Sequence, residues 1–215
     1  MKTCKICGQE FEPFGVNESI AALIAACAEC SDAEIQSRSH APTVQPWEAQ
    51  WREVCPPLYQ DTDKAKLPPE RLKIVSGWQY GPRGMVLVGK PGTQKTRCAW
   101  LLVGRMLREG RKVSAFDAVD FELDCSEKFF RGEGKAWVNY LANVDLVFFD
   151  DLGKCKLTER VESTLFGLFE KRIANKKPIL ATTNDTGATL EGRMSEGRGS
   201  ALVRRVREFC ECVNF

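Results

Sequence analysis

No charge of one sign dominates this sequence: 31 lysines and arginines face 29 aspartates and glutamates, for a formal net charge of +2. That balance excludes a global field drawing the chain to nucleic acid or to a membrane surface, so any basic patch has to be local. No apolar run approaches the roughly 18 residues a membrane-spanning helix needs. The first residues carry a cysteine pair instead of a charged and then apolar leader, and the expectation is a soluble, cytoplasmic protein with no membrane partner. Internal repeats and low-complexity tracts are also missing. Histidine is almost absent: His40 is the only one, ten residues past Cys30, and it reads as a linker residue.

The 215 residues, 43% of them hydrophobic, are enough for one full core with a small appendage beside it. Ten cysteines without a leader point to metal ligation and free buried thiols rather than disulfides. Cys4 and Cys7 stand in "CKICG", Cys27 and Cys30 repeat that spacing in "CAEC", and the 19 residues between the pairs (8–26) suit a zinc site. Four thiolates would close a tetrahedral shell with no open position, which makes the zinc structural. Residues 1–40 are too few for a core of their own, so the metal would supply the folding energy. The other six, Cys55, Cys98, Cys125, Cys155, Cys210 and Cys212, show no such pairing and read as ordinary small residues.

Between 41 and 70, Pro42, Pro46, Pro56, Pro57, Pro68 and Pro69 punctuate a stretch without sustained period, which reads as a linker or strap. Trp47, Trp51, Leu58 and Tyr59 imply that it packs on something.

From Gly84 strands and helices alternate, predicting an α/β domain with a mostly parallel sheet. "GMVLVG" is a buried strand, followed by a helix that Gly110 stops; "KVSAF", "DLVFFDDLG" and "PILATTN" are further strands. Between the first strand and its helix stands "GKPGTQKT", most of the phosphate-loop pattern G-x-x-x-x-G-K-[ST]. Gly89, Pro91, Gly92, Thr93 and Gln94 form the candidate cradle, whose amides and helix N-terminus favour phosphate. Lys95 would reach the outer phosphates, and the Thr96 hydroxyl would hold magnesium. Asp150 is placed to bind that magnesium, leaving Asp151 to orient or deprotonate the attacking water. Gln94 stands where the pattern has glycine, adding a β-carbon and an amide where the backbone should approach phosphate. Three outcomes stay open: a tolerant loop, binding with weakened turnover, or loss of both. Retained binding of ATP or ADP is favoured by the other motif residues, with hydrolysis undecided.

"GKPGTQKT", "VFFDDLG", "ATTND" and "ALVRRVRE", in this order, resemble the AAA+ ATPases of the bacterial helicase-loader and transposition-helper group, the DnaC-like and IstB-like proteins. The likeness covers roughly residues 55 to 215 and includes "CPPLYQDTD", similar to the segment preceding the core in that group. It implies a three-layer AAA+ (P-loop) ATPase core over 71–215, preceded by the Cys4 module as a partner-docking end; a departure from the group is that the chain stops at Phe215, which leaves no room for the C-terminal helical lid found in many AAA+ proteins. Asn184 would be the polar sensor placing the water, and Arg205 an arginine finger acting on a neighbour's nucleotide. Arg204 is close enough to exchange roles with it, and a solvated basic face with Arg198 and Arg207 is the plain alternative. The resemblance further implies self-association into a ring or spiral, a replicative helicase hexamer as partner, and contact with single-stranded DNA, with Arg131, Lys135 and Trp137 as conceivable contributors. The alternatives are an ATP-dependent transposition helper and a nucleotide-binding adaptor without hydrolysis.

Overall fold

The computed structural model describes residues 1–13, 24–31, 45–154, 157–195 and 197–215. His40, Pro42 and Cys155 lie outside the described residues. The chain divides into two compact units, Met1–Gln45 and Pro46–Phe215.

In the first unit, strands β1 (Lys2–Thr3) and β2 (Glu10–Phe11) pair antiparallel. The turn between them is tied by the Cys4 amide donating to the Gln9 carbonyl at 2.8 Å and the Gly8 amide to the Cys4 carbonyl at 3.0 Å. Lys5 donates its amide to the Ala25 carbonyl at 2.9 Å, which brings the second cysteine segment alongside.

The second unit begins in the stretch expected to be a linker, and here the structure differs from the sequence reading. Helices α1 (Pro46–Val54), α2 (Pro57–Gln60) and α3 (Pro69–Gly77) each open on a proline. A proline at the first helical position loses nothing, because its missing N–H would have had no helical acceptor there. The prolines are starts, not breaks. Cys55, Leu67 and Val75 are buried in the same core as the main sheet, with Trp47, Trp51 and Tyr59 packed against it. Trp100 joins the layers, meeting Phe148 at 5.1 Å and Trp51 at 6.0 Å, both edge-on.

The sheet has five parallel strands in the order β4 (Val113–Asp117), β5 (Leu146–Asp150), β6 (Ile179–Thr183), β3 (Gly84–Val88) and β7 (Cys210–Asn214). Strands β3, β5 and β6 are buried throughout or nearly so, as strands covered on both faces must be, and β6 turns polar only at Thr182 and Thr183. Helix α4 (Lys95–Arg108) and the proline-led helices cover one face. Helices α5 (Ala118–Phe130), α6 (Gly134–Asn143), α7 (Glu159–Ala174), α8 (Gly187–Arg193) and α9 (Arg198–Phe209) complete the chain, and α5, α6, α7 and α9 cover the other face. The result is three layers, with every strand pointing its carboxyl end the same way. Asp117 and Asp150 are register partners at that end, and ligands bind beyond such ends in open α/β sheets.

At the opposite end of the sheet, Arg172 is completely buried. Its guanidinium donates to the carbonyls of Leu141, Val144 (3.0 Å), Asp145 (3.1 Å) and Pro178 (2.6 Å), clamping the starts of β5 and β6 to α6.

Candidate functional site

The phosphate loop runs from the end of β3 into α4. Its first glycine is fixed by packing: a Cβ on Gly89 would stand 2.4 Å from the Phe215 carbonyl oxygen. That contact follows from the edge strand, since the Phe215 amide donates to the Val88 carbonyl at 2.7 Å. Arg71 donates to the Thr93 carbonyl and lies over the Phe215 ring at 5.2 Å, holding the loop from the outside. Sequence reasoning missed Arg71, which carries no motif. Among the described residues the amides of Gly92, Thr93 and Gln94 donate to no acceptor of the chain. A run of free amides before a helix is what a phosphate group fits.

Gln94 adopts the left-handed conformation, φ 68° and ψ 18°. Glycine reaches that region without a Cβ penalty, whereas other residues held there cost of order 1–3 kcal/mol. Its Oε1 is buried with no hydrogen-bond partner. The backbone has therefore kept the glycine-type turn of the motif, and the side chain bears the strain.

Lys95 is 5% exposed, and its ammonium donates to the carbonyls of Gly89 (2.9 Å) and Lys90 (3.0 Å) and to Oδ1 of Asn184 (2.9 Å). Burial pulls its pKa below the ordinary lysine value, and the nearby Asp151 and Asp150 work against that pull. The Thr96 hydroxyl donates to Oδ1 of Asp150 at 2.9 Å, and the Thr182 hydroxyl to the same oxygen at 2.6 Å. Burial raises the Asp150 pKa, opposed by these two hydrogen bonds. Asp151 has φ 53°, with its amide donating to Thr182 Oγ1 at 2.8 Å and its carboxylate 3.1 Å from the Lys154 ammonium. Asn184 donates to Asp151 Oδ1 at 3.4 Å. Gly153 follows with φ 101°, and a Cβ there would stand 2.4 Å from an Asp185 carboxylate oxygen, which explains the glycine after the acid pair. Thr182, the residue that binds both acids, was quoted in "ATTND" without being given a role.

Gln94, Lys95, Thr96, Asp151 and Asn184 line a cleft of about 350 Å³ together with Leu58, Tyr59 and Arg97, and Asp150 is hydrogen-bonded to Thr96 of that lining. Arg97 donates to the Leu58 carbonyl at 3.2 Å and lies 5.5 Å over the Tyr59 ring, so α2 forms one wall of the cleft. A hydroxyl and a carboxylate side by side, Thr96 and Asp150, are the hard oxygen donors that magnesium takes.

Arg205 is not at this cleft. It sits by Gly84 and Ile179, where β3 and β6 begin, and pairs with Glu170 through Nε at 2.6 Å and Nη2 at 3.3 Å. Arg204 beside it is exposed. Trp137 packs on Phe121 at 5.3 Å and Phe116 at 6.1 Å, so it belongs to the core, while Arg131 pairs with Glu127 at 2.5 Å and Lys135 is exposed.

In the first unit, the sulfurs of Cys4, Cys7, Cys27 and Cys30 lie within 4.8 Å of one another. The amides of Ile6 and Cys27 donate to Cys4 Sγ, each at 3.4 Å. The Cys7 amide, then that of Cys27, draw the Cys4 thiol down to about 6, while hydrogen bonds to Cys27 and Cys7 push Cys30 up to about 12. Four sulfurs with amides turned toward them are a donor set suited to tetrahedral zinc.

A family model described as "IstB-like ATP binding protein" matches residues 62–214. The uncharacterized protein YdaV of Escherichia coli strain K12 is 27% identical over 97 residues, which span 45% of this chain and 39% of that protein. Among solved structures, the DnaC helicase loader superposes with a TM-score of 0.59 at 19% identity, over 77% of this chain and 98% of that one. AMPPCP-bound DnaA from Aquifex aeolicus gives 0.58 at 22% identity, over 68% of this chain and 44% of that one. DnaI gives 0.53 at 14% identity, over 82% and 88%. At such identities these are likenesses of fold, and the fold is the P-loop ATPase one.

Proposed function

This chain belongs to the family of IstB-like ATP-binding proteins, and from that premise we propose that it loads a replicative helicase onto single-stranded DNA. The observation that carries the nucleotide part of this reading is the meeting of Lys95, Thr96, Asp151 and Asn184 in one cleft, with Asp150 hydrogen-bonded to Thr96, beside a loop of free amides. The loop amides and Lys95 hold the phosphates of ATP. Thr96 and Asp150 hold magnesium, which supplies positive charge against the phosphate oxygens. Asp151 orients the attacking water, or takes its proton, and Asn184 fixes that geometry by bridging Lys95 and Asp151.

Arg205 is too far along its own sheet to reach its own cleft, so it serves the site of a neighbouring subunit, with Glu170 setting its direction. Such fingers contribute ~10³ to 10⁵ in rate. Self-association into a ring or spiral then places each active site between protomers, and single-stranded DNA and the helicase hexamer are the other partners. The zinc-bound module over residues 1–40 docks the helicase.

The decisive experiment is a pull-down of replication proteins with the intact chain and with Cys4 and Cys7 both changed to Ser. A helicase band lost only in the variant supports the reading and its docking end. A transposase retained in place of a helicase replaces it with the transposition-helper reading, which the family description favours. The strained Gln94 favours a third reading, a nucleotide-binding adaptor without hydrolysis; phosphate release by the native chain, with and without single-stranded DNA, removes it.

A further inference from the structure

Helices α5, α6 and α7 wall a cleft of about 570 Å³, larger than the one at the phosphate loop. Its apolar lining comes from Phe129, Val138 and Gly167, and Lys135, Arg160 and Lys171 stand around it. The sole acid of this lining, Glu159, lies 3.6 Å from Arg198 and is already partnered. None of these residues takes part in the nucleotide chemistry.

Gly167 is the informative one. It sits in the interior of the 16-residue helix α7, and among the described residues no atom beyond its own helical turns lies within 4 Å of where its Cβ would be. No described neighbour requires glycine at that point, and in a helix interior glycine is destabilising relative to alanine. Its one structural effect is to keep the groove open for something arriving from outside.

The outer ridge of α5 has the opposite character. Val119, Leu123 and Phe130 are 43%, 63% and 91% exposed. At roughly 100° per residue they fall within about 40° of one another, so they make one apolar stripe facing away from the buried Phe121 and Cys125. Asp120 and Asp124 run along one side of it, with Glu127 beside them paired to Arg131. A large exposed aromatic in such a stripe marks a surface that is covered in use.

One protomer thus carries an acidic apolar ridge and a basic apolar groove that meet at Phe129 and Phe130. We infer that this face binds a second copy of the chain, the α5 ridge of each protomer lying along the groove of the other about a two-fold axis. Because ridge and groove adjoin, a single two-fold satisfies both at once, as an isologous contact must. The charges are complementary, acids on the ridge against Lys135, Arg160 and Lys171 at the groove. This contact needs no nucleotide and is separate from assembly through Arg205.

The test is the molar mass of the full, zinc-loaded chain by light scattering across a concentration series without nucleotide. Two variants accompany it. Gly167→Leu fills the groove from a helix position with open space, so its thermal midpoint should not fall; Leu123→Asp combined with Phe130→Asp charges two exposed sites of the ridge. The expected result is a dimer for the native chain and a dissociation constant raised roughly tenfold or more in each variant. A native chain that stays monomeric at every concentration overturns the inference. So does a dimer whose dissociation constant neither variant changes, or a groove protected from hydrogen exchange only when a nucleic acid or another protein is added. Nucleotide-driven assembly could fail without touching this result, so the two interfaces are judged separately.

Discussion

Thr96 and Asp150, 54 residues apart in the chain, meet at 2.9 Å, and the Thr182 hydroxyl reaches the same carboxylate oxygen from the neighbouring strand at 2.6 Å. The carboxylate is held in place at a cost, because burial lifts its pKa above the ordinary carboxylate value. Unfolded, Asp150 ionises near ~3.9; folded, it does so higher. The ionised form therefore destabilises the fold at neutral pH, and this penalty shrinks as pH falls through the folded pKa and vanishes below the unfolded one. Asp150→Asn should melt at or above the native temperature at pH 7, with the gap closing on acidification. The same variant should lose magnesium-dependent nucleotide binding, read with a fluorescent ATP analogue. A native-like affinity would remove Asp150 from the metal site.

Gln94 pays the conformational penalty of a left-handed residue and buries an unpaired amide oxygen. Gln94→Gly relieves both while adding freedom to the unfolded chain, so the net gain in stability is about 1 kcal/mol by chemical denaturation. Removing the side chain from the cleft should also tighten ATP binding. If calorimetry gives equal affinities for the two proteins, the amide does not intrude on the phosphate.

Among the described residues Arg172 has no carboxylate as a hydrogen-bond partner; its job is to satisfy four carbonyls, those of Leu141 in α6, Val144 and Asp145 before β5, and Pro178 before β6. Burial lowers its pKa to about 10, still well above neutrality, so the charge persists. Arg172→Met fills similar volume but strands those carbonyls, and the expected loss is about 3 to 5 kcal/mol in a urea titration. A loss under 1 kcal/mol would mean that water takes over the carbonyls.

Zinc binding at the four-cysteine cluster must displace the proton that Cys30 holds up to about 12. Affinity should therefore fall steeply on acidification, and calorimetry in two buffers of different ionisation heat should show proton release. A chromophoric indicator should count one zinc per chain. Stripping the metal should increase hydrogen exchange in Met1–Gln45 and leave the melting of Pro46–Phe215 unchanged, since the latter has its own core.

The sheet was legible wherever burial on both faces makes a strand continuously apolar, as in "GMVLV", "LVFFD" and "ILATT". Strand β7, "CECVN", was invisible for the converse reason: it lies at the sheet edge and mixes charge with apolar residues. The proline-led helices were misread because a proline that opens a helix and one that breaks it are the same letter, and only Trp51 and Tyr59 against Trp100 show which applies. At the cleft, the motif spacing located Lys95, Thr96 and both acids. Arg71 and Thr182 were beyond reach, since their roles arise from strand order and no local pattern encodes it. Trp137 illustrates the limit of composition: an aromatic between basic residues is as consistent with DNA contact as with the commoner core role, and only its packing against Phe121 shows that the core role applies.

Arg205 and Lys95 lie toward opposite ends of the parallel sheet, Arg205 where β3 begins and Lys95 just past the loop that follows its end. In the proposed assembly Arg205 acts on a neighbour's site. Lys95→Ala should abolish nucleotide binding at its own site and keep a sound finger, while Arg205→Ala should bind normally and lose ~10³ or more in turnover. Mixed in equal amounts, two dead proteins then create interfaces at which a sound cleft from one meets a sound finger from the other. Random mixing makes about a quarter of all interfaces productive, so phosphate release should return to about a quarter of the native rate. Arg204→Ala is the comparison, and as an exposed residue outside the Glu170 pair it should stay within about tenfold of native. If Arg204→Ala kills turnover and Arg205→Ala does not, the finger moves by one residue. If the mixture stays dead while each variant folds and assembles, catalysis is confined to single subunits, and Arg205 only braces α9 against Glu170.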